Sequence, residues 1–244
     1  MSETEIFGIY PILEAIKSGA IIDKLYIQKD ASNPKIETIV EQLSEDTTVV
    51  HVPIEKLNKL TRGNHQGIVA VTSPITFGSL ETIVEESINN KDKMPLFLIL
   101  DQISDVRNFG AIIRTAECTG VDAIIIQKKG GAPVGGDTVK TSAGAIFRIP
   151  ICKVDHIKDA IFYLQGSGIK TLAASEKTDN SIFDITLNEP LAIVLGSEGK
   201  GVSKSVLSLV DESAALPLLG EINSLNVSVA CGAFLYEVIR QRSK

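Results

Sequence analysis

Tryptophan is absent from this 244-residue chain, and cysteine and histidine occur only three times each. The cysteines, Cys118, Cys152 and Cys231, lie far apart in apolar segments, which argues against a disulfide framework and a cysteine-based metal site. The histidines show no metal-ligand spacing either. We therefore expect three buried thiols in a reducing compartment and no metal cofactor.

Long apolar runs and an excess of positive charge are also missing. No apolar run reaches the roughly 18 residues of a transmembrane helix, and the N-terminal segment lacks the basic start and apolar core of a signal peptide. A cytoplasmic location is therefore expected. The 24 Lys and Arg against 30 Asp and Glu give a net charge of −6, so any nucleic-acid site must be a local patch.

Helix and strand patterns alternate along residues 1–75 and start again at residue 94. We predict an N-terminal α/β domain over residues 1–75, a connector over 76–93 and a second α/β domain over 94–244. Apolar runs such as PLFLILD and LAIVLG predict a mostly parallel sheet that is covered on both faces, with AALPL as its last strand. Ligands of such sheets usually bind beyond the carboxyl ends of the strands.

The segment LPLLGEINSLNVSVACGAFLYEVIRQR, residues 216–242, joins a polar loop to a long helix pattern. Asn226 stands at the N-cap position of that helix, and Ser224 and Ser228 flank it. Free backbone N–H groups at such a helix start can hold a polar ligand. A capped helix without further function is the alternative.

The segment IVLGSEGKGVS, residues 193–203, predicts a strand that runs into a glycine-rich turn. Its spacing fits neither a phosphate-binding loop, because Lys200 is followed by Gly201, nor a dinucleotide-binding turn. Gly196 begins the turn, and Glu198 is either a site residue or an exposed loop carboxylate.

The segment DQISDVRNFGAIIRTAECTG, residues 101–120, predicts a helix in which Phe109, Ile112 and Ala116 form the packing stripe. Arg114 points the opposite way, roughly with Gly110 and Glu117. A solvated arginine is the ordinary interpretation of such a position.

These last three segments, in this order, resemble the three signatures of the SpoU-type RNA 2′-O-ribose methyltransferases of the SPOUT class, over residues 96–242. The resemblance implies a trefoil-knotted, mostly parallel α/β methyltransferase domain, preceded by a small α/β domain like ribosomal protein L30e. It also implies S-adenosyl-L-methionine as the methyl donor and a homodimer with shared active sites.

The resemblance also implies roles for individual residues. The matching catalytic residues are Asn108, Arg114, Glu198, Ser224 and Asn226. The matching donor-binding residues are Ala174, Gly196, Gly201, Leu216 and Leu225.

Arg114 is a poor general base because guanidinium stays protonated, so we interpret it as a clamp on substrate phosphate. The sequence leaves the proton acceptor open.

Two segments keep two interpretations each. In GNHQGIVA and the residue before it, Arg62, Asn64 and His65 either contact RNA or are ordinary loop residues. The glycine-rich loop 130–136 either closes on RNA or is a flexible connection.

The expected function is methylation of a ribose 2′-hydroxyl in RNA, at a guanosine of 23S ribosomal RNA. A transfer-RNA methyltransferase is the nearest alternative. A catalytically silent RNA-binding or ribosome-assembly protein of the same fold is the other.

Overall fold

The computed structural model describes residues 5–29, 31 and 33–243. The chain divides into two compact units. The first combines Met1–Thr76 with Val134–Val139, and the second combines Phe77–Pro133 with Lys140–Lys244. The segment Val134–Val139 therefore groups with the N-terminal unit, although it lies far along the chain.

The N-terminal unit is a four-stranded mixed sheet with helices between its strands. The strand order is β1-β4-β2-β3, and only β2 and β3 are parallel to each other. The elements are β1 Glu5–Phe7, α1 Ile9–Lys17, β2 Ile22–Gln28, α2 Pro34–Glu41, β3 Thr48–Val52, α3 Ile54–Leu60 and β4 Ile68–Thr72.

Alternating apolar residues build the core of this unit. Ile12, Leu25, Ile39 and Ile68 are fully buried and come from two helices and two strands. Local sequence starts helix α2, where Asn33 accepts a hydrogen bond from the Lys35 N–H (3.0 Å). Strand β1 was not predicted, because three residues carry too little periodicity.

The second unit is built on a six-stranded, fully parallel sheet of order β10-β8-β9-β5-β6-β7. Its two central strands are buried along their whole length, as the continuous apolar runs predict. The strands are β5 Leu96–Asp101, β6 Ala123–Gln127, β7 Ile151–Val154, β8 Lys170–Ala174, β9 Leu191–Gly196 and β10 Glu212–Ala214.

Helices connect these strands, and the mixed α/β class is confirmed. The helices after residue 76 are α4 Leu80–Asn89, α5 Val106–Cys118, α6 Gly136–Thr141, α7 Ile157–Gly166, α8 Lys204–Leu207 and α9 Val227–Arg242, with short 3-10 turns at Ala145–Phe147 and Ile182–Asp184. Most residues of α6 group with the N-terminal unit. The contacts of α9 are mainly with α5. Helix α6 begins inside the segment that the sequence assigns to a glycine-rich loop.

Two expectations need correction. The last strand is Glu212–Ala214 and not AALPL, because Pro217 and the exposed residues after it cannot continue the ladder. Cys118 is exposed at the end of α5, whereas Cys152 and Cys231 are buried as expected. Gly110 lies one turn before Arg114 and is buried, because Thr141 packs against it. In the part of the chain that the structure describes, no helix has both the length and the apolar character needed to cross a membrane.

Candidate active site

The first wall of the candidate site is the N-terminal end of α5. The Asp105 carboxylate caps this helix and accepts hydrogen bonds from the N–H groups of Arg107 and Asn108, both at 2.9 Å. Close packing fixes the helix: a Cβ on Gly110 would lie 2.0 Å from Oγ1 of Thr141. This places the buried Asn108 side chain at the carboxyl edge of the sheet.

The second wall is the turn that follows β9. A Cβ on Gly196 would lie 1.9 Å from the carbonyl carbon of Gly201, so only glycine fits there. The Gly201 N–H donates to the Ser197 carbonyl (2.8 Å), and Gly201 has a φ of 69°. The buried carboxylate of Asp101 anchors the turn by accepting the N–H of Ser203 (2.8 Å).

The third wall is the start of α9, where Asn226 performs two functions. Its Oδ1 accepts the N–H groups of Ser228 (3.0 Å) and Val229 (3.4 Å), which confirms the predicted N-cap. Its Nδ2 donates to Oδ1 of Asn108 (3.0 Å) and to Oε1 of Glu198 (2.7 Å). One amide therefore joins residues from all three signature segments.

A cleft of ≈ 490 Å³ opens between the second and third walls. Its lining contains three glycines, two carboxylates and the polar residues that precede α9. Of the predicted site residues, it includes Ala174, Gly196, Glu198, Gly201, Ser224, Leu225 and Asn226.

Two smaller cavities share residues with this cleft. One of ≈ 80 Å³ is lined by Leu216 and Phe234, and it has Ala174, Ser224 and Leu225 in common with the cleft. The other, of ≈ 90 Å³, shares Ser197, Glu198 and Val227 with the cleft and includes Asn108. The structure thus gathers nine of the ten residues predicted for catalysis and donor binding around one continuous region.

Arg114 is the tenth. It is exposed on α5, and its packing stripe of Phe109, Ile112 and Ala116 is buried as predicted. Arg114 lines none of these three cavities, and the described residues give its guanidinium no hydrogen bond or ion pair. Its charge is therefore available to a group outside this chain's own cleft.

The three RNA candidates of the N-terminal unit differ in exposure. Arg62 and Asn64 are exposed. His65 is buried: its Nε2 is bonded to Oδ1 of Asn58 (3.0 Å), and its Nδ1 accepts the N–H of Gly67 (3.0 Å). Both ring nitrogens are used within the unit, so the structure gives His65 a role in holding the turn before β4.

Glu176 is a cleft residue outside the predicted set. It follows β8 and lines both the main cleft and the ≈ 80 Å³ cavity. The available signal was its position, just after the carboxyl end of a strand in a parallel sheet. No His, Cys, Asp and Glu grouping suited to a metal ion occurs among residues 5–29, 31 and 33–243.

Comparisons with known proteins agree with this geometry. Residues 95–236 match the SpoU rRNA Methylase family, and residues 6–77 match the domain described as RNA 2′-O ribose methyltransferase substrate binding. A Staphylococcus haemolyticus protein assigned to the TrmH family of tRNA/rRNA methyltransferases is 34% identical over 99% of this chain and 97% of its own length.

Solved structures show the same fold. An AdoMet-bound rRNA methyltransferase from Sinorhizobium meliloti has a TM-score of 0.61 at 23% identity, covering 98% of this chain and 87% of that one. A TrmH/SpoU tRNA modifying enzyme from A. aeolicus has a TM-score of 0.58 at 27% identity, covering 67% of this chain and 84% of that one. The knot that the resemblance implies stays a prediction. On the match of both domains, the chain belongs to the SpoU family of RNA 2′-O-ribose methyltransferases.

Proposed function

We propose that this protein transfers the methyl group of S-adenosylmethionine to a ribose 2′-hydroxyl at a guanosine of 23S ribosomal RNA. The observation that supports the chemistry best is the bond network of Asn226 with Asn108 and Glu198 at the rim of the ≈ 490 Å³ cleft. The network fixes polar groups from three distant segments at one point, which is what positional catalysis requires.

The cleft suits S-adenosylmethionine in size and chemistry. Its volume lies within the usual range of roughly 300–1,000 Å³ for small-molecule sites. Gly196 and Gly201 expose backbone groups to it, Leu225 and Ala174 offer apolar surface, and Ser224 offers a hydroxyl. When bound, the donor supplies an activated methyl group, so the protein needs no metal for this reaction.

The chain's own residues then have positioning roles. Asn226 holds the Glu198 carboxylate and the Asn108 amide in fixed orientations, and Ser224 lies beside them at the cleft. The 2′-hydroxyl must align with the methyl group and lose its proton. Arg114 binds a substrate phosphate through its permanently charged fork.

The choice of ribosomal RNA is supported by the N-terminal unit. The substrate-binding domain matches residues 6–77, and Arg62 and Asn64 are exposed there. The rRNA methyltransferase from S. meliloti covers 98% of this chain, whereas the tRNA modifying enzyme from A. aeolicus covers 67%. A cytoplasmic location follows from such a substrate.

We also propose a homodimer whose sites combine two chains. Helix α9 buries Phe234 and Leu235 but leaves Val229 and Tyr236, two turns apart, 56% and 58% exposed. An isologous pair would cover this apolar stripe. It would also give Arg114, which has no partner among the described residues, a site to complete.

Mapping of ribose methylation across ribosomal and transfer RNA tests this function. A strain that lacks the gene should lose one 2′-O-methylguanosine of 23S RNA, and the wild-type gene should restore it. Asn226→Asp keeps the N-cap oxygen but loses the amide donor to Glu198, so it should not restore the mark. Loss of a transfer-RNA mark instead, or of none, would contradict the proposal.

A further inference from the structure

We propose that Glu176 makes the cleft selective for the positively charged methyl donor over the neutral product of the reaction. This inference rests on the proposed function, since it concerns the same cleft. It assigns a role to a residue that none of the three signature segments contains.

Position supports this role. Glu176 follows β8, and its carboxylate faces the turn after β9: both of its oxygens lie within 3.7 Å of the point where a Cβ on Gly201 would stand. The residue lines the main cleft and also the ≈ 80 Å³ cavity beside it. A ligand that extends from one cavity to the other would pass this carboxylate.

The charge of the cleft also supports the proposed role of Glu176. Among the described residues that line the cleft, the charged ones are Glu176 and Glu198. One oxygen of Glu198 already accepts the amide of Asn226 (2.7 Å). Glu176 has no hydrogen bond or ion pair from its carboxylate in the described part of the chain, so it remains available to a ligand.

Lys177 and Lys200 are the lysines nearest to Glu176 along these two loops, and neither forms an ion pair with its carboxylate. Lys177 donates from Nζ to the carbonyl oxygen of Lys200 (3.1 Å), which ties the loop after β8 to the turn after β9. Lys200 is exposed and is not part of the lining. The charged residues that line the cleft are therefore anionic, and neither lysine is part of its lining.

The chemistry of methyl transfer gives this arrangement a consequence. The S–CH₃ bond breaks, the O–CH₃ bond forms, sulfur keeps the bonding electron pair, and the hydroxyl proton leaves to an acceptor. The sulfonium of S-adenosylmethionine carries a positive charge that the thioether of S-adenosylhomocysteine lacks. A carboxylate near that sulfur attracts the donor and loses this attraction once the methyl group has left. Glu176 thereby favours donor uptake and product release.

Calorimetric titration of the full-length protein with three ligands tests the inference. The ligands are S-adenosylmethionine, S-adenosylhomocysteine and sinefungin, in which an ammonium replaces the methylated sulfonium. Glu176→Gln should raise the dissociation constants of S-adenosylmethionine and sinefungin roughly fivefold. This is the effect expected for the loss of one unit charge at close range in a hydrated cleft. The same substitution should change the dissociation constant of S-adenosylhomocysteine by less than about twofold, because that ligand lacks the sulfonium charge.

Glu85→Gln is the matched control, because Glu85 is an exposed glutamate on α4 outside the cleft. It should leave all three dissociation constants unchanged. Equal weakening of all three ligands by Glu176→Gln, or no weakening of any, would overturn the charge-selective role while leaving the proposed function intact. If the wild-type protein bound none of the three, the proposed function itself would fail.

Discussion

At the scale of single residues, Gly196 carries the strictest requirement of the site. A Cβ there would lie 1.9 Å from the carbonyl carbon of Gly201 and 2.0 Å from the N of Val202. These are backbone atoms, so Gly196→Ala must displace the turn that walls the cleft. We expect affinity for S-adenosylmethionine to fall by roughly 100-fold or more, and overpacking to cost about 1–3 kcal/mol of stability.

Gly166→Ala is the control for this substitution, since Gly166 ends α7 and has no atom within 4 Å of the added Cβ. It should leave binding unchanged. Calorimetric titration gives the affinities and denaturant unfolding gives the stabilities. Wild-type affinity in Gly196→Ala would contradict the close packing described for this turn.

The three thiols should differ in reactivity. Burial raises the pKa of the Cys231 thiol to about 12, so almost no thiolate exists at pH 8. Cys152 is also buried, whereas Cys118 is exposed. A colorimetric thiol titration of the native protein at pH 8 should therefore show one fast equivalent, and Cys118→Ser should abolish it. Three fast equivalents without denaturant would contradict the burial of the other two.

At the scale of elements, the long periodic segments were predictable and the short ones were not. Helix α9 and strands β5 and β9 were predicted near their true positions, because each has a long apolar pattern and local end signals. Strand β10 was misplaced because its three residues are only partly apolar. They form a strand by pairing with β8, about 40 residues earlier, and local sequence does not reveal that pairing. Helix α6 was missed because glycines dominate the sequence before it.

The residues of the site also divide into those that the sequence predicts and those that only the fold reveals. The resemblance selected Asn108, Glu198 and Asn226, but the amide that joins them is a contact across 118 residues of sequence, which only the fold reveals. Glu176 could not be selected because one glutamate after a strand is an ordinary surface residue. Its significance comes from its carboxylate, which lies close to Gly201 of the turn after β9 and lines the cleft.

The end of α9 is fixed by one side chain whose loss should be costly. The Arg242 guanidinium donates to the carbonyls of Met94 (2.9 Å), Pro95 (3.1 Å) and Glu189 (2.6 Å). Burial lowers the pKa of Arg242, and the Asp122 carboxylate opposes that effect, so the group stays charged at neutral pH. Arg242→Ala should reduce the free energy of unfolding by about 2–3 kcal/mol, because it leaves partly buried carbonyls unpaired.

Arg107→Ala is the matched control, because Arg107 is exposed and the described residues give its side chain no partner. It should change stability by less than about 0.5 kcal/mol. Urea unfolding, monitored by circular dichroism, measures the free energy of unfolding of both variants. Equal stability of the two variants would show that these carbonyls are satisfied by water.

At the scale of the whole molecule, the two units should separate donor binding from RNA binding. All described residues that line the cleft lie between Ala174 and Ala230. Removal of residues 1–76 should therefore keep affinity for S-adenosylmethionine and weaken binding of a 23S RNA fragment. Calorimetry measures the affinity for S-adenosylmethionine, and gel-shift titration measures the affinity for the RNA fragment. Loss of donor binding in a truncated protein that is still folded would contradict this separation.

The proposal of a shared active site rests on two facts about one chain. The cleft and its amide network are complete without Arg114, and Arg114 lies outside all three cavities around them. An arginine that is needed for catalysis must then reach a cleft by movement or belong to a neighbour's cleft. The exposed stripe of Val229 and Tyr236 on α9 favours the neighbour.

Mixed dimers distinguish these possibilities. Arg114→Ala and Gly196→Ala should each be inactive alone, the first keeping donor binding and the second losing it. After subunit exchange, each mixed dimer joins an intact arginine from one chain to an intact cleft from the other. Random exchange should restore roughly a quarter of wild-type methylation, because half of the dimers hold one working site of two. Mixing Arg114→Ala with a chain that carries both substitutions should restore nothing. If tagged chains copurify and activity stays absent, or if the protein is monomeric at assay concentration, each chain uses its own arginine.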